Sequence, residues 1–266
     1  MLIKEIADYA VREQTSQLAA NVIHHAKRAV IDWYAALLPG SIVTPATVLE
    51  QALTEDLDRG NARLATGRRA TLRTAALING AASHSVEFDD IYRDAGYHPG
   101  SPVISAALAA AQSTGASGEM FLRGVIVGYE ISTRIGALMG RAHYKYWHNT
   151  GTIGCFGGAA AAAEMLNLGE KPFAHALATV ATFAAGLQQA FRMDSMSKPL
   201  HAGNAAQAGV TAAQMSMKGW PATSTAPGAS AIASSAMRLF AAESSAAATF
   251  PIVYAIPRPR RSRRSR

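Results

Sequence analysis

The chain has 266 residues, a formal net charge of +7 and a sequence pI near 9.8, values that on their own point to a phosphate-bearing partner. Six arginines crowd into Arg258 to Arg266, however, so residues 1–257 carry only +1 and the body gives little electrostatic reason to expect nucleic acid. Charged residues are 16%, alanine is about a fifth of the chain and aromatics are 7%, which suits closely packed helices and argues against a β-rich fold.

The opening segment MLIKEIADYAVREQ has no apolar core of leader length. The longest Gly/Ala-rich apolar run, 151–163, is short of the ~20 residues a membrane span needs. No membrane partner is expected, and cytoplasmic is the default location. Thr15 and Ser16 can cap a first helix carrying Leu18, Val22, Ile23, Ala26, Val30 and Trp33, which should stop near Leu38 at Pro39-Gly40. Residues 45–58 look like a second amphipathic helix, ended by Arg59-Gly60-Asn61. Residues 71–84 read as a third helix, with Ala75, Ala76 and Ile78 inward.

Between 86 and 100 the pattern turns polar and aromatic, in EFDDIYRDAGYHPG. Ser101 followed by Pro102 is a helix start, and that helix should run to about Ser113. Ser117 caps a longer one through Val125, Tyr129, Ile131 and Ile135 to about Gly140. A second polar patch, RAHYKYWHNTGT, precedes a helix of small residues over 152–166. Another helix is expected over 170–190. A third patch, FRMDSMSKPLHAGN, leads into a last helix over 205–218. Lys198 stands before a proline and is therefore expected in extended backbone. No convincing strand precedes residue 220. The expectation is an all-α, multi-helix bundle over 1–220. Residues 221–266 form an atypical Ser/Ala/Arg-rich tail, with a short helix near 232–240 and a disordered end.

The three interruptions share one chemistry: each holds histidine and at least one other ionisable group. Cys155, the single cysteine, excludes an intrachain disulfide and any cluster needing three or four thiolates of this chain. Among glycines and alanines it reads as a buried structural thiol. His24, His25 and His175 read as ordinary helix residues. Gly151, Gly154 and Gly157 match neither GxGxxG nor a phosphate loop, and read as places where another helix approaches closely. Asn149, Thr150 and the first amides of that helix can bind a carboxylate at the positive end of its dipole. His84, Glu87, Asp89, Asp90 and His98 leave three readings open. They are a solvated loop of capping acids, an oxygen and nitrogen metal site, or a carboxylate orienting a histidine for acid–base work. The last fits the other two patches, and no metal is expected.

Five segments occur in a fixed order: HSVEFDD (84–90), HPGSPVISAALA (98–109), GYEISTRIG (128–136), WHNTGTIGCFGGAAAAAEMLNLG (147–169) and KPLHAGNAAQAG (198–209). Together they resemble the MmgE/PrpD family, whose members include 2-methylcitrate dehydratase and cis-aconitate decarboxylase. The resemblance runs to about Trp220. It implies a helical domain and a smaller α/β lid domain, a homodimer, and a site in the cleft between the domains. It assigns catalytic roles to His98, His148 and Lys198. Glu87 stands where the family's HxxDFDD segment has its first aspartate, and Asp89 and Asp90 follow. Asp90 is expected in the catalytic group with Glu87, and Asp89, Asn149, Thr150 and His201 are expected to bind substrate. The implied activity is cofactor-free loss of water or carbon dioxide from a small polycarboxylate such as 2-methylcitrate. The alternative is a truncated, inactive helical remnant, because the lid segment is expected to be missing and the tail to come from another reading frame.

Overall fold

A computed structural model describes residues 2–193 and 195–222. The expected short helix over 232–240 and the expected disorder of the tail lie outside the described residues. The helices are α1 (Leu2–Glu13), α2 (Ala20–Gly40), α3 (Ala46–Ala52), α4 (Leu72–Ser83), α5 (Gly100–Thr114), α6 (Gly118–Tyr144), α7 (Asn149–Thr152), α8 (Gly154–Met165), α9 (Glu170–Val180) and α10 (Ser197–Met217). The all-α expectation holds, with one two-stranded exception among the described residues. Strands β1 (Leu57–Arg63) and β2 (Arg69–Ala70) pair antiparallel around a bulge between Leu57 and Ala62. No described helix is long and apolar enough to cross a membrane.

The centre is α8. Its sequence GCFGGAAAAAEM is small or apolar apart from Glu164, and every residue in it is buried. Helices α5, α6, α9 and α10 pack around it. Close approach needs the missing Cβ atoms. One added at Gly154 would lie 2.6 Å from Pro102 Cγ, and one at Gly157 would lie 2.6 Å from Val103 Cγ2. The expected helix-approach role of these glycines is what the packing uses. Cys155 is buried and free, and burial pushes its thiol up to about 12.

Several boundaries differ from expectation. Helix α1 was not foreseen in the opening segment. Helix α2 starts at Ala20, with no side-chain cap, because the Ser16 hydroxyl donates to Glu13 instead. The expected helix over 45–58 ends at Ala52, and its last residues enter β1. There Asp58 and Gly60 adopt φ of 61° and 69°, which bends the chain into the hairpin. Asn79 of α4 pins that hairpin, accepting from Ala65 N–H at 3.1 Å and donating to Arg63 C=O at 2.9 Å. Helix α9 stops at Val180, and short 3-10 turns replace the rest of the expected 170–190 helix. Thr71 and Ser117 do cap α4 and α6, each accepting a backbone N–H three residues on.

Candidate active site

The site is built from the three places where the helical pattern breaks. Helix α4 ends at Ser83, where Ser85 Oγ donates back to the Ala81 carbonyl at 2.7 Å. Glu87 then takes φ 60°, a left-handed conformation unusual for a bulky residue. That turn sends Asp89 and Asp90 inward, where both are buried. A small bridge pairs Tyr92 with Tyr97 and tightens the segment leading to His98. Asn149 donates its amide to Ala95 C=O, and Thr150 Oγ1 accepts from His98 N–H at 3.3 Å. Asn149 and Thr150 are therefore buried and engaged in holding the loop that carries His98.

Asp90 ties the loop to two helices. Its Oδ1 accepts the Gly100 N–H at the start of α5 at 2.9 Å, and its Oδ2 accepts the Tyr129 hydroxyl at 2.8 Å. Burial and the charge of Asp89 push Asp90 up to about 7, against the pull of those two donors. Ser101 was expected to cap α5. Its hydroxyl instead donates to Asp89 Oδ2 at 2.9 Å, and α5 begins one residue earlier at Gly100.

Asp89 gathers the imidazoles. His84 Nδ1 lies 2.8 Å from Asp89 Oδ2, and His98 Nδ1 lies 3.5 Å from the same oxygen. Burial works to raise Asp89, but the hydrogen bond and charge of His84, then of His98, hold it well below the usual carboxylate range. An ionised carboxylate only accepts, so the proton between Asp89 and His84 sits on Nδ1. The other nitrogen of His84 is buried without a hydrogen-bond partner. His98 responds in the opposite sense. Burial draws it down, yet its contact with Asp89 and the nearby Asp90 charge raise it above its ordinary value.

His148 precedes α7, and its N–H donates to Gly186 C=O at 2.9 Å. Its ring stacks on His84 at 5.6 Å between centroids and meets the edge of Phe191 at 4.7 Å. Its Nδ1 lies 3.1 Å from His201 Nδ1. Burial, then the neighbouring His84, His201, Lys198 and His98, push His148 down to about 2. Burial likewise lowers His201, with His84 adding to it.

Lys198 lies in the first turn of α10, not in extended backbone. That helix begins at Ser197, because a proline at residue 199 fits a first turn, where its missing N–H is no loss. The ammonium pairs with Glu87 and sits 5.0 Å from the centroid of the Phe191 ring. The fold thus brings Glu87, Asp89, Asp90, His98, His148, Lys198 and His201 into one cluster. It adds His84, Ser101, Tyr129 and Phe191, which were not on the expected site list. His84 had a signal, five residues ahead of Asp89 in the same acidic motif. Tyr129 had none, since it occupies an apolar position of α6.

Among the described residues, His84, Asp89 and His98 each offer a ligand atom within 4.8 Å of the others, so they are a group that could hold a metal ion. Two ligands on a tetrahedral zinc sit about 3.3 Å apart, given bond lengths near 2.0–2.1 Å. The 2.8 Å between His84 Nδ1 and Asp89 Oδ2 is hydrogen-bond contact, so the present spacing suits a shared proton. Chemically, the cluster places one imidazole biased toward its cation beside another biased toward neutrality. An ammonium stands at the edge.

The family model of the MmgE/PrpD N-terminal domain matches residues 4–247, past the boundary expected near Trp220. The cis-aconitate decarboxylase-like protein oryM of Aspergillus oryzae is 29% identical over 226 residues, 81% of this chain and 47% of that relative. Cis-aconitate decarboxylase of Homo sapiens is 37% identical over 150 residues, 54% of this chain and 31% of that relative. The chain thus spans less than half the length of these curated relatives. With the family model covering most of its length, the chain belongs to the MmgE/PrpD family.

Proposed function

We propose that this chain carries the helical half of a lyase site for a small polycarboxylate, acting by acid–base chemistry of its own side chains. The observation that carries this is that the His98 and His148 rings both pack on His84, with centroids at 4.8 Å and 5.6 Å from it, in surroundings that raise His98 and lower His148. Removing a proton next to a carboxylate is hard, because charge builds on a group already anionic. A site for it needs a base that stays neutral, an acid that stays charged, and cations for the carboxylates. His148 is suited to accept the proton. His98, held by Asp89, is suited to donate one to a departing hydroxide or to a carbanion left by carbon dioxide. Lys198 is suited to a substrate carboxylate once it exchanges Glu87 for that anion. Two substrates fit: 2-methylcitrate, for dehydration, and cis-aconitate, the acid in the relatives' names, for decarboxylation. The resemblance to the family further supports a homodimer.

The test is turnover of each acid by the purified 266-residue chain, with His98→Ala and His148→Ala as controls. Product formation that both substitutions reduce by at least about a hundredfold supports the proposal. A folded helical chain with no rate above the His148→Ala control refutes it. That result would favour a non-catalytic helical domain.

A further inference from the structure

His148 is only 1% exposed, so a proton on its ring has no direct contact with bulk water. Among the described residues its ring hydrogen bond is the 3.1 Å contact between its Nδ1 and His201 Nδ1. His201 sits on α10, partly exposed, and lines an open cavity of about 580 Å³. Gln189, Ser195, Ser197, Asn204 and Gln207 supply that cavity's polar wall, and among the described residues no Asp, Glu, Lys or Arg lines it. Amides and hydroxyls hold water well but give a polycarboxylate no cation to bind. Two faces therefore meet at the His148–His201 contact. On one side lie the imidazoles, Lys198 and the acids, and on the other lies an open cavity whose described lining carries no carboxylate, lysine or arginine.

The backbone is shaped around this contact. Gly186 has φ +134°, and a Cβ there would lie 3.2 Å from both Cγ and Nδ1 of the His201 ring. A Cβ at Gly151 would lie 2.4 Å from Ala185 C=O and 3.2 Å from His201 Cβ. Both glycines let the 185–187 segment press His201 against the start of α7.

We propose that His201 is a relay residue, passing protons between the buried His148 and water in the α10 cavity. The inference deepens the lyase proposal and rests on it for the identity of the proton. A nitrogen-to-nitrogen hydrogen bond needs one donor and one acceptor, so a single proton lies between the two Nδ1 atoms. The step balances as follows. His148 Nε2 takes a proton from the substrate carbon, while its Nδ1–H bond breaks toward His201 Nδ1. The new Nδ1–H bond on His201 forms as its Nε2–H proton leaves to a cavity water. One proton leaves the substrate, one reaches water, and both rings finish neutral with exchanged tautomers. Run backwards, the same relay delivers a solvent proton to a carbanion.

A test independent of turnover is exchange of the His148 ring N–H with solvent, followed by nuclear magnetic resonance on chain labelled at histidine nitrogen. The probes are the wild type, His201→Gln, His201→Phe and His201→Ala. Glutamine can keep a hydrogen bond to His148 but cannot relay a proton, so a packing role is rescued by it and a relay is not. Exchange at least about tenfold slower in both variants is expected, with His201→Ala recovering when free imidazole is added. Exchange unchanged in the glutamine variant overturns the relay, as does a wild-type spectrum with both protons on Nε2. If the phenylalanine variant fails to fold, glutamine decides alone. If the wild type turns over neither acid, the lyase proposal falls while the exchange measurement still judges His201. If it does turn over, His201→Gln must lower kcat more than it raises KM, and full kcat in that variant also overturns the relay.

Discussion

Asparagine at Asp89 preserves the side chain's shape and removes its charge, which isolates what that charge does. His84 Nδ1 at 2.8 Å, Ser101 Oγ at 2.9 Å and His98 Nδ1 at 3.5 Å all converge on one oxygen. Hydrogen bonds to a charged group contribute about 1.5–3 kcal/mol each, and breaking a buried ionic contact costs about 3–5 kcal/mol. Because the three share an acceptor, their effects do not add, and a loss of about 3–5 kcal/mol is expected at neutral pH. Burial would then act on His98 against the Asp90 charge alone, and its raised pKa should fall. The sign in acid follows from the direction of the Asp89 shift. A folded-state pKa below the unfolded 3.8 gives stability that is complete above that value and fades as pH falls toward the folded one. The gap between wild type and Asp89→Asn must therefore narrow in acid. Urea unfolding at several pH values measures the gap, and histidine resonances measure His98. A neutral-pH loss under about 1 kcal/mol, or a His98 that keeps its raised value, refutes the reasoning.

Glu164 in α8 is buried, and burial together with Glu13, opposed by Arg123, pushes it up to about 8. Its folded pKa exceeds the unfolded 4.5, so stability should fall as pH rises through that window, and Glu164→Gln should flatten thermal melts there. His148, at about 2 against 6.5 unfolded, gives the opposite slope. Its contribution is complete above 6.5 and is lost as pH falls, so His148→Gln should reduce acid sensitivity in the same melts. In Gly203→Ala the new Cβ would lie 2.2 Å from the Leu77 carbonyl oxygen, forcing α4 and α10 apart. Overpacking of this kind costs about 1–3 kcal/mol or more, which the urea midpoint would show. Glu87→Ala frees Lys198 from its ion pair, and calorimetry should find polycarboxylate binding tightened by about threefold to tenfold.

What sequence alone conveyed depended on how local the signal was. Ser117 and the Gly/Ala spacing of α8 announce helices because capping and close approach act within a few residues. His98, His148 and Lys198 lie in separate polar breaks, and the order of their motifs was enough to group them. The hairpin escaped because β1 reads LDRGNAR, with only Leu57 and Ala62 buried, so no alternation marks it. Lys198 was misplaced because a residue before proline favours extended backbone in general, whereas a first helical turn tolerates the pair. The role of Tyr129 was illegible for another reason. It acts through an acid on another segment, Asp90, and such a partner is visible only after folding.

The buried alanines and glycines of α8 carry a consequence for how this protein tolerates change. A core of leucines and phenylalanines is vulnerable to truncation, since each lost methylene leaves a void. One made of methyl groups and bare Cα atoms has almost nothing to lose that way. Its weakness runs in reverse, because almost any larger residue wedges two main chains apart. The histidine cluster hangs from helices packed against this spine, so its geometry inherits the precision of peptide backbone. Variation should accordingly collect on the outer faces of the bundle, while α8 and the glycines that meet it admit little beyond themselves.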